Sequence, residues 1–166
     1  MFRRLLREDY VRIGLDSADV ESALRDLINR LPDGSFTESR KSDLFERVLA
    51  REKFGTTAVG EGLAFPHCFL PGIERPFALL GVSREGVGFP SLDGDPVYLI
   101  FLLVLPEGKS WESEKREILR GAEHLLRDRF IFERIKIAES AEEIYELLLR
   151  EGSQAPVEAG RLAAAG

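Results

Sequence analysis

Residues 51–68, R-E-K-F-G-T-T-A-V-G-E-G-L-A-F-P-H-C, decide how this chain is read. A helix-like segment runs up to Arg51-Glu52, and Gly55, Thr56 and Thr57 break it. The short apolar run Leu63-Ala64-Phe65 then reads as a strand, closed by the rigid Pro66. His67, one of two histidines in the chain, is thereby expected at the end of that strand. Imidazole can hold and pass on a proton or a phosphoryl group near neutral pH, which makes His67 the first candidate for chemistry.

Upstream of this stretch, Val11 to Leu15 alternates as a short extended entry segment. A helix follows, capped by Asp16 or Ser17, with Val20, Ala23, Leu24, Leu27 and Leu31 at three-and-four spacing until Pro32-Asp33-Gly34 stops it. A second helix reads from about Glu38 to Glu52, with Leu44, Phe45, Val48 and Leu49 on one stripe. Downstream, Leu70-Pro71-Gly72 and Arg75-Pro76 mark a loop, and Phe77 to Ser83 is a strand punctuated by Gly86 and Gly88. The turn Asp93-Gly94-Asp95-Pro96 precedes a buried strand from Val97 to Leu105, ended by Pro106.

The remainder is helical. Ser110 or Ser113 caps a helix carrying Ile118, Leu119, Ala122, Leu125 and Leu126, a shorter one covers Phe130 to Ile137, and Ser140 with Glu143 opens a last one carrying Ile144, Leu147 and Leu148. Helices, then strands around the histidine, then helices again predict an α/β or α+β sandwich built on a small mixed sheet. One domain is expected over residues 1–152, with 153–166 a flexible tail too poor in large apolar residues to fold alone.

With 166 residues, 44% of them hydrophobic, the chain can build a real core. A net charge of −6 argues against nucleic acid as the main partner. The N-terminus lacks the apolar core of a signal peptide, and Val97 to Leu105 is far too short to cross a membrane, so the expectation is a cytoplasmic protein without membrane insertion. Cys68 stands alone, which excludes an intramolecular disulfide, and two separated histidines with one cysteine give no metal-ligand spacing. Asp93-Gly94-Asp95 lacks the other ligand positions of an EF-hand loop and reads as a turn. Cys68 neighbours His67 on extended chain and points the other way, against a Cys-His couple. His124 falls on the polar face of its helix, and Trp111 stands near a helix start, where it could pack over the site or meet a partner.

Taken in order, Arg51-Glu52, Thr56-Thr57, Gly60, Gly62-Leu63-Ala64 and Pro66-His67 resemble the active-site motif of the fructose/mannitol/nitrogen-regulatory class of enzyme IIA domains of the bacterial phosphoenolpyruvate-dependent phosphotransferase system. The likeness continues through Phe89, Leu92-Asp93, Pro96-Val97, the strand ending at Pro106, Leu125-Leu126-Arg127-Asp128 and Ala138 to Glu143, from about Val11 to Arg150. Several ordered blocks are far more specific than one motif. The resemblance is nearest the nitrogen-regulatory type, since no sugar-transport module is attached. It implies the phosphotransferase/anion-transport-protein-like sandwich, with helices on both faces of the sheet.

The resemblance also implies roles. His67 would accept a phosphoryl group from an HPr-type phosphocarrier and pass it to a IIB-type acceptor, or keep it as a regulatory mark, with no organic cofactor. Arg51, Thr56, Thr57 and Lys115 would contact phosphate oxygens, and Phe89 and Cys68 would belong to the partner surface. Two positions depart from the family pattern: Cys68 stands where glycine often follows the histidine, and Lys115 stands where a second histidine usually faces the first. The lysine gives a second reading, a regulatory module that acts by docking with phosphorylation impaired.

Overall fold

The apolar run beginning at Val97 forms β6 (Val97–Pro106), the strand on which the sheet is built. All but one of its residues are buried, as expected of a strand with helices over both faces. This computed structural model describes residues 1–152 apart from Ser35; the expected tail at 153–166 lies outside the described residues. Among the described residues the sheet has six strands, with β1 (Val11–Ile13), β5 (Phe77–Val87), β6, β3 (Leu63–Ala64) and β2 (Ala58–Gly60) side by side and β4 (His67–Leu70) also paired with β6. β5 and β6 are antiparallel, as are β2 and β3, whereas β1 lies parallel to β5 and both β3 and β4 lie parallel to β6. The sheet is therefore mixed.

Register sorts the side chains between two layers. Leu80 lies opposite Phe101 and Gly81 opposite Ile100, so these two pairs project from opposite faces. Phe101 meets Phe2 of α1 (Phe2–Leu5) edge-on at 6.0 Å, while a side chain on Gly81 would strike Leu15 and approach Leu27 of α2 (Val20–Asn29). Beside α2 lies α3 (Glu38–Phe54), which also covers β4. The other layer holds α4 (Trp111–Leu126) against β6 and α5 (Arg129–Ile137) against β5. Last comes α6 (Ala141–Glu151), packed near β1 and α1.

Several expectations are corrected. The cap of α2 is Asp19, which accepts the Ser22 amide at 2.8 Å, because Asp16 and Ser17 still belong to the connection from β1. α3 runs two residues past Glu52, to Phe54. Ser110 flanks α4 without a side-chain cap. β5 continues through Gly86, whose φ of +88° accompanies a register shift between Val82 and Val87, so the expected break is a bulge inside the strand. The short elements α1, β2 and β4 carry too few residues for periodicity to announce them.

His67 opens β4 rather than ending the strand before it. β3 and β4 lie along the same side of β6, Leu63 opposite Leu99 and His67 opposite Leu103, with Phe65-Pro66 interrupting the run between them. The β2–β3 turn is held from outside: Asp93 accepts the Glu61 amide at 2.7 Å and also bonds Ser91 and the Asp95 amide. The Asp93-Gly94-Asp95 stretch is thus a turn whose first carboxylate is occupied.

Candidate functional site

Alternation along β4 puts His67 and Phe69, both half-buried, on one face and the buried Cys68 and Leu70 on the other. His67 shares its face with Leu103, its neighbour across β6, on the layer of α4; Cys68 faces α3. The half-buried ring is fixed by one contact, Nδ1 to the carbonyl oxygen of Phe65 at 3.0 Å. A carbonyl can only accept, so Nδ1 donates and, in the neutral ring, Nε2 carries the lone pair.

Charges from two elements, α3 and α4, act on this ring. Arg51 stands in the last turn of α3, and its Nη1 donates to the carbonyl of Gly55 at 2.9 Å, leaving the rest of the fork for an anion. Lys115, in the first turns of α4, lies with Nζ 5.2 Å from the centre of the Phe69 ring and 2.6 Å from Glu112 Oε2. Burial is the main cause holding the His67 imidazolium below its ordinary range; the Phe65 carbonyl opposes it, Arg51 and Lys115 add to it, and Glu52 opposes it weakly. The site therefore favours a neutral, nucleophilic imidazole.

The two threonines have different fates. Thr57 is buried, and both its amide (2.8 Å) and its hydroxyl (2.5 Å) donate to the buried carboxylate of Glu52. Its donors close the loop after α3, so the expected phosphate contact from Thr57 is corrected to a structural one. Thr56 is exposed; its Oγ1 accepts the Ala58 amide at 3.2 Å and its own proton can still be donated outward.

The expected partner surface also changes. Cys68 is 6% exposed and Phe89 7%, so both sit in the core. Burial pushes the Cys68 thiol up to about 12, which leaves it protonated and inert. The large apolar side chain on the surface beside Arg51 is instead Phe54, 94% exposed at the end of α3. His124 is exposed on α4, and Trp111 opens that helix half-buried against the core. Among the described residues no cluster could hold a metal ion, and no helix is long and apolar enough to cross a membrane.

Three functional groups escaped the sequence reading. The Phe65 carbonyl is backbone and leaves no trace in residue identity. Glu52 becomes an anchor only because the chain doubles back to Thr57. Glu112 was legible, since it stands three residues before Lys115 on one helix, the spacing at which opposite charges meet.

Residues 4–151 match the family described as the phosphoenolpyruvate-dependent sugar phosphotransferase system, EIIA 2. The nitrogen regulatory protein of Bradyrhizobium diazoefficiens is 40% identical over 112 residues, covering 68% of this chain and 72% of that protein. The crystal structure of the nitrogen regulatory protein IIA-Ntr from Neisseria meningitidis superposes with a TM-score of 0.76 at 30% identity, covering 87% of this chain and 96% of that one. The structure of the complex of enzyme IIAMTL and phosphorylated enzyme IIBMTL from Escherichia coli superposes with a TM-score of 0.68 at 22% identity over 87% of this chain and 97% of that chain, a likeness of fold alone.

Proposed function

Because the chain belongs to the EIIA 2 family of the phosphoenolpyruvate-dependent sugar phosphotransferase system, we propose that it works as a phosphocarrier whose phosphoryl group rides on Nε2 of His67. The observation that carries this reading is the Nδ1 contact to Phe65, which leaves Nε2 as the nucleophile beside two cations. The Nε2 lone pair attacks phosphorus on an HPr-type donor; the new N–P bond forms as the donor's bond to phosphorus breaks, and the donor keeps that electron pair. The ring becomes cationic, with its proton still on Nδ1 facing the Phe65 carbonyl. Arg51, Lys115 and the Thr56 hydroxyl are the groups positioned to neutralise the phosphoryl oxygens.

Onward transfer reverses the bonding. A IIB-type acceptor attacks the phosphorus, and the N–P pair returns to Nε2. Partnership with IIB has its parallel in the mannitol complex from Escherichia coli, and the nitrogen-regulatory relatives favour use of the phosphoryl group as a regulatory mark. We place the protein in the cytoplasm among soluble relay partners.

The test is reconstitution with phosphoenolpyruvate, enzyme I and HPr, followed by intact mass. One acid-labile phosphoryl adduct is expected on the wild-type protein and none on His67→Ala. An adduct that survives in His67→Ala would overturn the assignment. The engagement of Lys115 with Glu112 favours a second reading, docking without transfer. An adduct on Lys115→His but not on the wild-type chain would select it.

A further inference from the structure

Lys115 is held from two sides. Its side chain is 19% exposed, with the ammonium over the Phe69 ring and 2.6 Å from a Glu112 carboxylate that is 54% exposed. The ring fixes where the cation stands, because Phe69 projects from the same face of β4 as His67, two residues on. The carboxylate is a different kind of partner: it is an anion at the mouth of a site that must admit another anion. A single ammonium between two anions can serve both only by dividing its interaction between them.

Resting on the phosphocarrier reading above, we propose that Glu112 is a positioning residue that competes for Lys115. In the unloaded protein the ammonium belongs to Glu112; when His67 is loaded it turns toward the phosphoryl oxygens, and the carboxylate is released to solvent. Glu112 thereby limits how strongly the phosphoryl group is held and keeps it transferable. Arg51 lacks such a competitor among its described contacts, being tied to the neutral Gly55 carbonyl. Of the two cations, Lys115 is thus the one whose grip is graded.

His67 lies within the fields of both Lys115 and Glu112, with Arg51 and Glu52 acting on it from the end of α3. Arg116, four residues further along the same helix, also acts on Glu112, and the Lys115 contact is the largest cause holding the Glu112 carboxyl below its ordinary range. A carboxylate already engaged by one lysine is a real competitor for it.

The experiment measures the equilibrium of phosphoryl exchange between HPr and the full chain, together with the hydrolytic half-life of the loaded protein. Glu112→Gln is expected to shift the exchange equilibrium toward the loaded form by about two- to fivefold, the range of a solvent-screened ion pair, and to lengthen the half-life. Lys115→Met shifts it the opposite way. The decisive comparison is Glu112→Gln in the Lys115→Met background, where no further change is expected because the competition has lost its object. An equal shift in both backgrounds would show that Glu112 acts directly and overturn the proposal. A wild-type chain that loads normally while Glu112→Gln behaves identically would overturn it and leave the phosphocarrier reading standing; a wild-type chain that takes no phosphoryl group would overturn both.

Discussion

Nε2 of His67, the nitrogen proposed to carry the phosphoryl group, is available because one backbone carbonyl holds the opposite side of the ring and burial disfavours its charged form. This has a directional consequence for pH. The folded-state value lies below 6.5, the ordinary value of the unfolded chain, so between the two the unfolded state holds a proton that the native state lacks. The stability contributed by the neutral ring is present above 6.5 and is lost as pH falls through the folded value. Phosphoryl acceptance should accordingly decline toward acid pH with a midpoint below 6.5. Proton NMR titration of the imidazole resonances, beside the pH dependence of loading rate, checks this; a ring that titrates above 6.5 would contradict it. Lys115→Met should move the titration upward, since the lysine adds to the depression.

At the scale of elements, the β2–β3 turn presents the histidine strand and tolerates little change. Gly62 has φ +77°, a conformation costly for side-chain-bearing residues, and a Cβ there would lie 2.7 Å from the Tyr98 ring. Gly62→Ala should lower the unfolding free energy by about 2 kcal/mol in chemical denaturation. A change within experimental error would mean that the turn relaxes freely. The helices were the readable elements, because their apolar residues recur at the helical period and Ser140 caps α6 through the Glu143 amide as its capping pattern predicts. β4 was not readable, because a four-residue strand is defined by its pairing with β6, thirty-six residues further on, and the Leu70-Pro71-Gly72 turn hides it. The site divides the same way. Residue identity pointed to Arg51, His67 and Lys115, and the fold brings both cations close enough to act on the His67 ring, whereas the burial of Thr57, Cys68 and Phe89 depends on packing that no local pattern records.

The whole molecule rests on a core that includes its first residues. Phe2 is 2% exposed, meets Phe101 edge-on and lies against the last turn of α6, so the N-terminal helix ties the sheet to the C-terminal helix. Phe2→Ala should cost about 3 kcal/mol and lower Tm by roughly 6–12 °C, measured by calorimetry. A Tm within a degree or so of the wild type would show that this end of the core is dispensable. The Phe65 carbonyl has a consequence at the same scale. On the proposed phosphocarrier reading it would keep the ring proton in place whether Nε2 is bare or bonded, so arrival and departure of the phosphoryl group would retrace one path without exchanging a proton with solvent. Such a molecule has no preferred direction of its own. The sense of flow through it is set by which neighbour carries the higher phosphorylation potential, and a shortage of acceptors would send the group back toward its source.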